Sequence, residues 1–247
     1  MSGATSGCVS IINLHSLYDR SIDLSHSMLI CVTAVNPRRP YHSPAREQAA
    51  QRSRDAVIAA AHSVFIERGY ASATIEEIAR RAGVSRPTVF AVGTKPELLA
   101  LARLRAIAGD QPINNDQRFQ ELLHTPDPNE LLRRFASFTA DIARRLGPLA
   151  AVLEQAAPAD PDLTELLHRS QRDLHNCARA VAGTIAAAGA LPVHLSVTRA
   201  ADIIWLLIQP AQYQHLVGRR GWSHRTYERW HADTMLRLIT DPAPAAG

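Results

Sequence analysis

Between Thr74 and Leu99 the chain carries an unusually dense set of helix start and stop signals, and these constrain the segment more than anything else in the sequence. Thr74-Ile75-Glu76-Glu77 has the form of a capping box: the Thr74 hydroxyl accepts the amide of residue 77 and the Glu77 carboxylate reaches back. The helix it opens turns Ile75, Ile78, Ala79 and Ala82 inward, with Arg80 and Arg81 on the other side and read as solvated. Gly83-Val84 makes a turn, Ser85 caps the next helix, and Pro87 is tolerated in its first turn, where no intrahelical donor is needed. Gly93 ends that helix, and Thr94-Lys95-Pro96-Glu97 is a second capping box, opening a helix that runs to about Ile107. Two short helices joined by a glycine turn, behind a supporting helix, make a helix-turn-helix.

The supporting helix starts near Arg46, where Val57, Ile58, Ala61 and Phe65 form one apolar stripe, and Gly69 closes it. Before it, residues 1–44 show no sustained period and are expected to be a disordered extension, within which Met28 is an alternative start of translation. Beyond Gly109 the polar stretch to Pro126 reads as a loop. Helices are then expected at about Pro128–Leu146, Pro148–Ala156, Pro161–Ala188, Val197–Leu216 and Ser223–Thr240, broken at Gly147, Pro158, Gly189, Pro192 and Gly218. Residues 242–247 should fray. The expected fold is all-α: a helix-turn-helix domain over 45–107, then a larger helical regulatory and dimerisation domain over 108–241.

Composition narrows the function. From Arg46 to Arg105 there are ten basic and six acidic residues, against fourteen basic and fifteen acidic from Ile107 onward. Most of the formal net charge of +4 therefore sits in the helix-turn-helix segment, as suits phosphate binding. Cys8, Cys31 and Cys177 form no CxxC pair, so neither a disulfide framework nor a thiolate metal site is implied, and a reducing cytoplasm is expected. The apolar run Ile203–Ile208 is too short to span a bilayer, and no membrane association is expected. His168 with His175, and His224 with His231, are spaced seven apart, but no third ligand follows, so no metal is assigned. With no GxSxG, HExxH, P-loop or GxGxxG, neither an enzyme nor a cofactor is expected.

The run TIEEIARRAGVSRPTVFAVGTKPELL resembles the DNA-binding region of TetR-family regulators, through Ile78, Ala79, Ala82, Gly83, Val84, Ser85, Thr88, Val89, Phe90 and Lys95. Ala60-Ala61, Val64-Phe65 and Gly69-Tyr70 upstream are similar too, and Trp222 through Leu238 is similar to the final helix of some members. Phe90-Ala91-Val92-Gly93 departs from the Tyr-x-His-Phe that typical members carry, and so lacks their phosphate-reaching hydroxyl and imidazole. The resemblance implies a homodimeric, ligand-responsive repressor on double-stranded, palindromic operator DNA. The rival is a helical small-molecule carrier or scaffold without DNA binding.

On that reading Arg86 is the candidate base reader, since a guanidinium bonds guanine O6 and N7 bidentately, worth about 1–3 kcal/mol of discrimination. Pro87 and Ala91 suit a thymine methyl, and Thr74, Ser85 and Thr88 suit phosphate. Phe90 joins this set, although it and Val89 also read as core. Arg52 and Arg54 either touch DNA or face water. Lys95, the chain's only lysine, is a cation in the first turn of a helix, against the dipole, which a neighbouring phosphate would explain. The resemblance implies dimerisation through the last two long helices, with Ile203, Ile204, Leu207 and Ile208 on one stripe and Tyr227, Trp230, Met235 and Leu238 on the other. For an unidentified small-molecule effector the candidate pocket residues are Phe135, Phe138, His168, Gln171, His175, Trp205 and Gln209.

Overall fold

The computed structural model describes residues 44–109 and 115–240, and among these every regular element is a helix. The expected N-terminal extension, Met28 within it, and the fraying tail lie outside the described residues. In chain order the elements are α1 (Pro44–Ser72), α2 (Ile75–Ala82), α3 (Arg86–Val92), α4 (Lys95–Ala108), α5 (Asn115–Leu123), α6 (Pro128–Ala156), α7 (Pro161–Ala187), α8 (Val197–Leu207), α9 (Pro210–Tyr213) and α10 (His224–Ile239). A 3-10 turn over Ala157–Ala159 joins α6 to α7, and α9 continues into a wide π turn over Gln214–Arg219.

Around the helix-turn-helix the local chemistry of the sequence carries through. The Thr74 hydroxyl accepts from the Glu77 amide at 3.2 Å, and Ser85 Oγ accepts from the Thr88 amide at 3.3 Å. Gly83 lies at φ 66°, ψ 30°, the left-handed conformation in which a residue with a Cβ is strained. One half of the first capping box is rebuilt: instead of reaching back, the Glu77 carboxylate accepts from Arg80 (2.8 and 3.0 Å) and Arg81 (2.7 Å). In the second box Glu97 Oε2 does reach back, accepting from Thr94 N at 2.7 Å.

Downstream, four expectations are corrected. The stretch read as a loop contains α5, whose Phe119 and Leu122 are buried against α6 with the Phe119 and Phe135 rings 6.1 Å apart. Two apolar side chains among polar neighbours anchor a helix that periodicity alone does not show. Gly147-Pro148 does not break α6, which runs through both. The glycine serves a close approach instead, because a Cβ there would collide with the side chain of Gln214. The helix expected over Val197–Leu216 is interrupted at Gln209 (φ −61°, ψ 129°), since Pro210 forces the preceding residue toward extended backbone. Gly218 likewise lies inside the π turn rather than ending a helix.

α6 is the spine. Its C-terminal half, with Leu146, Leu149, Ala150, Val152 and Leu153, joins the apolar cluster of α1, α2, α3 and α4. Its N-terminal half, with Leu131, Leu132, Phe135, Ala136 and Phe138, joins a second cluster formed with α5, α7, α8 and α10. A third, aromatic cluster of Tyr213, Tyr227, Trp222 and Trp230 packs around Ala140 and Ala143. No helix among the described residues is long and apolar enough to cross a membrane.

Candidate nucleic-acid interface

α3 has one residue fully buried, Val89, and it fastens the helix to the first cluster. Arg86, Pro87, Phe90 and Ala91, at i, i+1, i+4 and i+5, are exposed together on the opposite face. Phe90 is 54% exposed, so the alternative reading of it as core is set aside. Ser85 and Thr74 are exposed at the starts of α3 and α2, and the half-buried Thr88 shares a 2.8 Å hydrogen bond with Ser85 through their hydroxyls.

Charge is arranged with partners. Arg81 donates twice to Glu67 on α1, at 2.7 and 2.6 Å, and once to Glu77, so it ties α2 to α1 rather than serving only as a solvated charge. Arg80 and Arg81 hold the Glu77 carboxyl down at about 2. Arg86 is more than half exposed and pairs with Glu76 of α2 at 2.9 Å, a partner the sequence does not single out.

Lys95 has partners within the chain. Its Nζ lies 4.5 Å from the Tyr70 ring centroid and donates to the Ala71 carbonyl at 3.4 Å. Both groups lie just past Gly69, whose φ of 70° breaks the helical path of α1, and the ring face and the carbonyl oxygen are the negative groups beside this ammonium. Tyr70 stacks on Phe65 at 5.8 Å and donates its hydroxyl hydrogen to Asp160, the N-cap of α7, at 3.2 Å. Burial, then the Asp160 charge, pushes the Tyr70 hydroxyl well above its ordinary pKa.

The body separates the expected pocket residues. Phe135 is core, Phe138 is nearly buried, His168 is exposed, and His175 bonds Asp202 at 3.1 Å beside Trp205. Gln171 and Gln209 exchange hydrogen bonds at 3.1 and 3.3 Å, and of the seven only Gln171 lines a cavity of 130 Å³ between α4, α6 and α7. That cavity is walled mainly by aliphatic side chains, but Arg103 of α4 stands in it, 7% exposed. Sequence reasoning passed over Arg103; its position among Leu99, Ala102 and Ala106 on the inward face of α4 was the available signal.

The expected dimer stripes are corrected in part. Ile204, Ile208, Tyr227 and Met235 are buried within the protomer's own core. Ile203, Leu207 and Trp230 are half-buried, while Leu238 is exposed, as is Leu206, which an all-apolar run could not single out by period.

Residues 57–91, which span the end of α1, all of α2 and most of α3, match the family model of the bacterial regulatory proteins, tetR family. No curated protein matches the sequence. Among solved structures the fold is similar to that of NalD, the secondary repressor of the MexAB-OprM multidrug efflux pump in Pseudomonas aeruginosa (19% identity, 79% of this chain and 100% of that one, TM-score 0.64). It is also similar to a Saccharomonospora viridis protein in complex with choline (20% identity, 79% and 100%, TM-score 0.62) and to SmeT in its triclosan complex (18% identity, 79% and 99%, TM-score 0.60). At these identities the likeness is one of fold.

Proposed function

We propose that this chain, whose residues 57–91 match the family model of the bacterial regulatory proteins, tetR family, and whose fold is similar to that of NalD, is a DNA-binding, ligand-responsive repressor. It acts as a homodimer on a palindromic operator in the cytoplasm. The observation that carries the reading is the outward face of α3, where Arg86, Pro87, Phe90 and Ala91 are exposed while Val89 anchors the helix from behind. A short helix presented in this way fits the major groove, with Arg86 toward a base edge and the Ser85 and Thr74 ends toward phosphates. The dimer forms through the outward faces of α8 and α10, around the exposed Leu206 and Leu238. The head spans 45–107 and the regulatory body 108–241. Choline and triclosan are held by two proteins of similar fold, and by analogy the body cavity here takes an effector that favours the DNA-incompetent state.

A gel-shift titration with the DNA upstream of the protein's own gene, repeated at 50 and 200 mM salt, tests the reading. Affinity should fall steeply, by ~10³-fold or more for a dimer neutralising several phosphates. Arg86→Ala should lose base preference by roughly 10-fold or more while remaining dimeric on a sizing column. Salt-insensitive binding, or none to any genomic fragment, overturns the regulator; unchanged preference in Arg86→Ala overturns the base-reading role.

A further inference from the structure

Arg103 is a charge in an apolar place. Ala100, Leu104 and Ile107 of α4, Leu146 and Ala150 of α6, and Leu167 of α7 wall the cavity around it. One of its five N–H groups is donated, from Nη2 to Ser170 Oγ at 3.1 Å, and Ser170 in turn donates to the Leu166 carbonyl at 2.8 Å. No carboxylate among the described residues lies within ion-pair distance of it. The exposed Glu154, with the half-buried Arg169 and Asp173, also lines the cavity, and Glu154 attracts the guanidinium only from a distance. A buried cation with donors to spare is a costly arrangement, and an anion entering beside it recovers the missing interactions.

We infer that the effector cavity is built for a small apolar carboxylate, its two oxygens bridged by the Arg103 guanidinium and its hydrocarbon part among the α4, α6 and α7 aliphatics. The inference rests on the proposed reading of this cavity as the effector site. The volume of 130 Å³ is close to the ~150 Å³ at which an aliphatic cavity accepts benzene, so the hydrocarbon part is a single ring or a short chain. A neutral or cationic ligand of the same size leaves the guanidinium unpaired or opposes it. Because Arg103 belongs to α4 and Ser170 to α7, the carboxylate also competes for the bond that joins these two helices.

The test is calorimetric titration of the full-length protein with benzoate, benzyl alcohol and benzylamine. Benzoate should bind at least ~10-fold more tightly than benzyl alcohol, and benzylamine should bind more weakly still. Arg103→Met should abolish the preference for benzoate while keeping benzyl alcohol binding, and Ser170→Ala, which frees the guanidinium, should keep the preference. Benzyl alcohol equal to or better than benzoate on the unmodified protein overturns the inference, whether or not Arg103→Met folds. So does absent benzoate binding in a protein that still binds operator DNA with steep salt dependence, and the regulator then stands without it. Benzoate binding through Arg103 in a protein that binds no DNA supports the site and overturns the regulator.

Discussion

His231 is fully enclosed, with Nε2 3.2 Å from the Thr139 hydroxyl and Nδ1 without a hydrogen-bond partner among the described residues. Its ring stacks on Tyr227 at 5.3 Å. Burial pushes its pKa down to about 4, so the folded protein keeps it neutral where an unfolded chain, titrating near 6.5, takes up a proton. The unfolded state then binds more protons between these values, and the contribution to stability falls as pH drops through that window, at up to about 1.4 kcal/mol per pH unit. Above pH 6.5 the penalty is absent. Melting curves from pH 7 to pH 4.5 should therefore show a steeper loss for the unmodified protein than for His231→Phe, and parallel losses would remove the histidine from the account. Neither the burial nor the depressed pKa was legible in the sequence, where His231 stood only as one of a pair seven residues apart on a helix.

At the scale of elements, the pair α2 and α3 was the most legible part of the chain, because Thr74, Gly83, Ser85 and Gly93 act through their own backbone neighbours. What failed depended on distant partners: Gln214 explains Gly147, and Phe135 explains Phe119. The interface calls for the same distinction. The periodicity of α8 and α10 located their apolar residues but could not say which side the protomer itself would cover. Between α2 and α3 the Glu76–Arg86 ion pair spans the turn at 2.9 Å with both side chains more than half exposed. Such a pair contributes at most about 1 kcal/mol, yet its carboxylate also faces the surface proposed to meet phosphates. Glu76→Gln should tighten DNA binding by roughly 2- to 5-fold with little change in melting temperature. Weaker binding in the gel shift would mean that Glu76 positions Arg86 rather than restraining it.

Over the whole molecule, the cluster beneath the helix-turn-helix is not closed by α1 to α4 alone. Leu149, Val152 and Leu153 of α6 and Leu163 of α7 complete it, and each is buried or nearly so. Scanning calorimetry of the full chain should show one cooperative transition, and residues 45–107 expressed alone should expose this floor and associate. Two well-separated transitions would show that the head is held up by its own contacts. α4 runs between the two parts and is gripped from the body: Arg145 of α6 donates to the Ala106 and Ile107 carbonyls at 2.9 and 3.1 Å, at its last turn. A rod anchored at one end cannot slide along its axis but can tilt about the anchor. Fourteen residues make a lever of roughly 21 Å, so a swing of about 10° at Arg145 displaces the far end, beside α3, by roughly 4 Å. A displacement that size, doubled by two-fold symmetry in the proposed dimer, is enough to put its two α3 helices out of step with successive turns of a duplex.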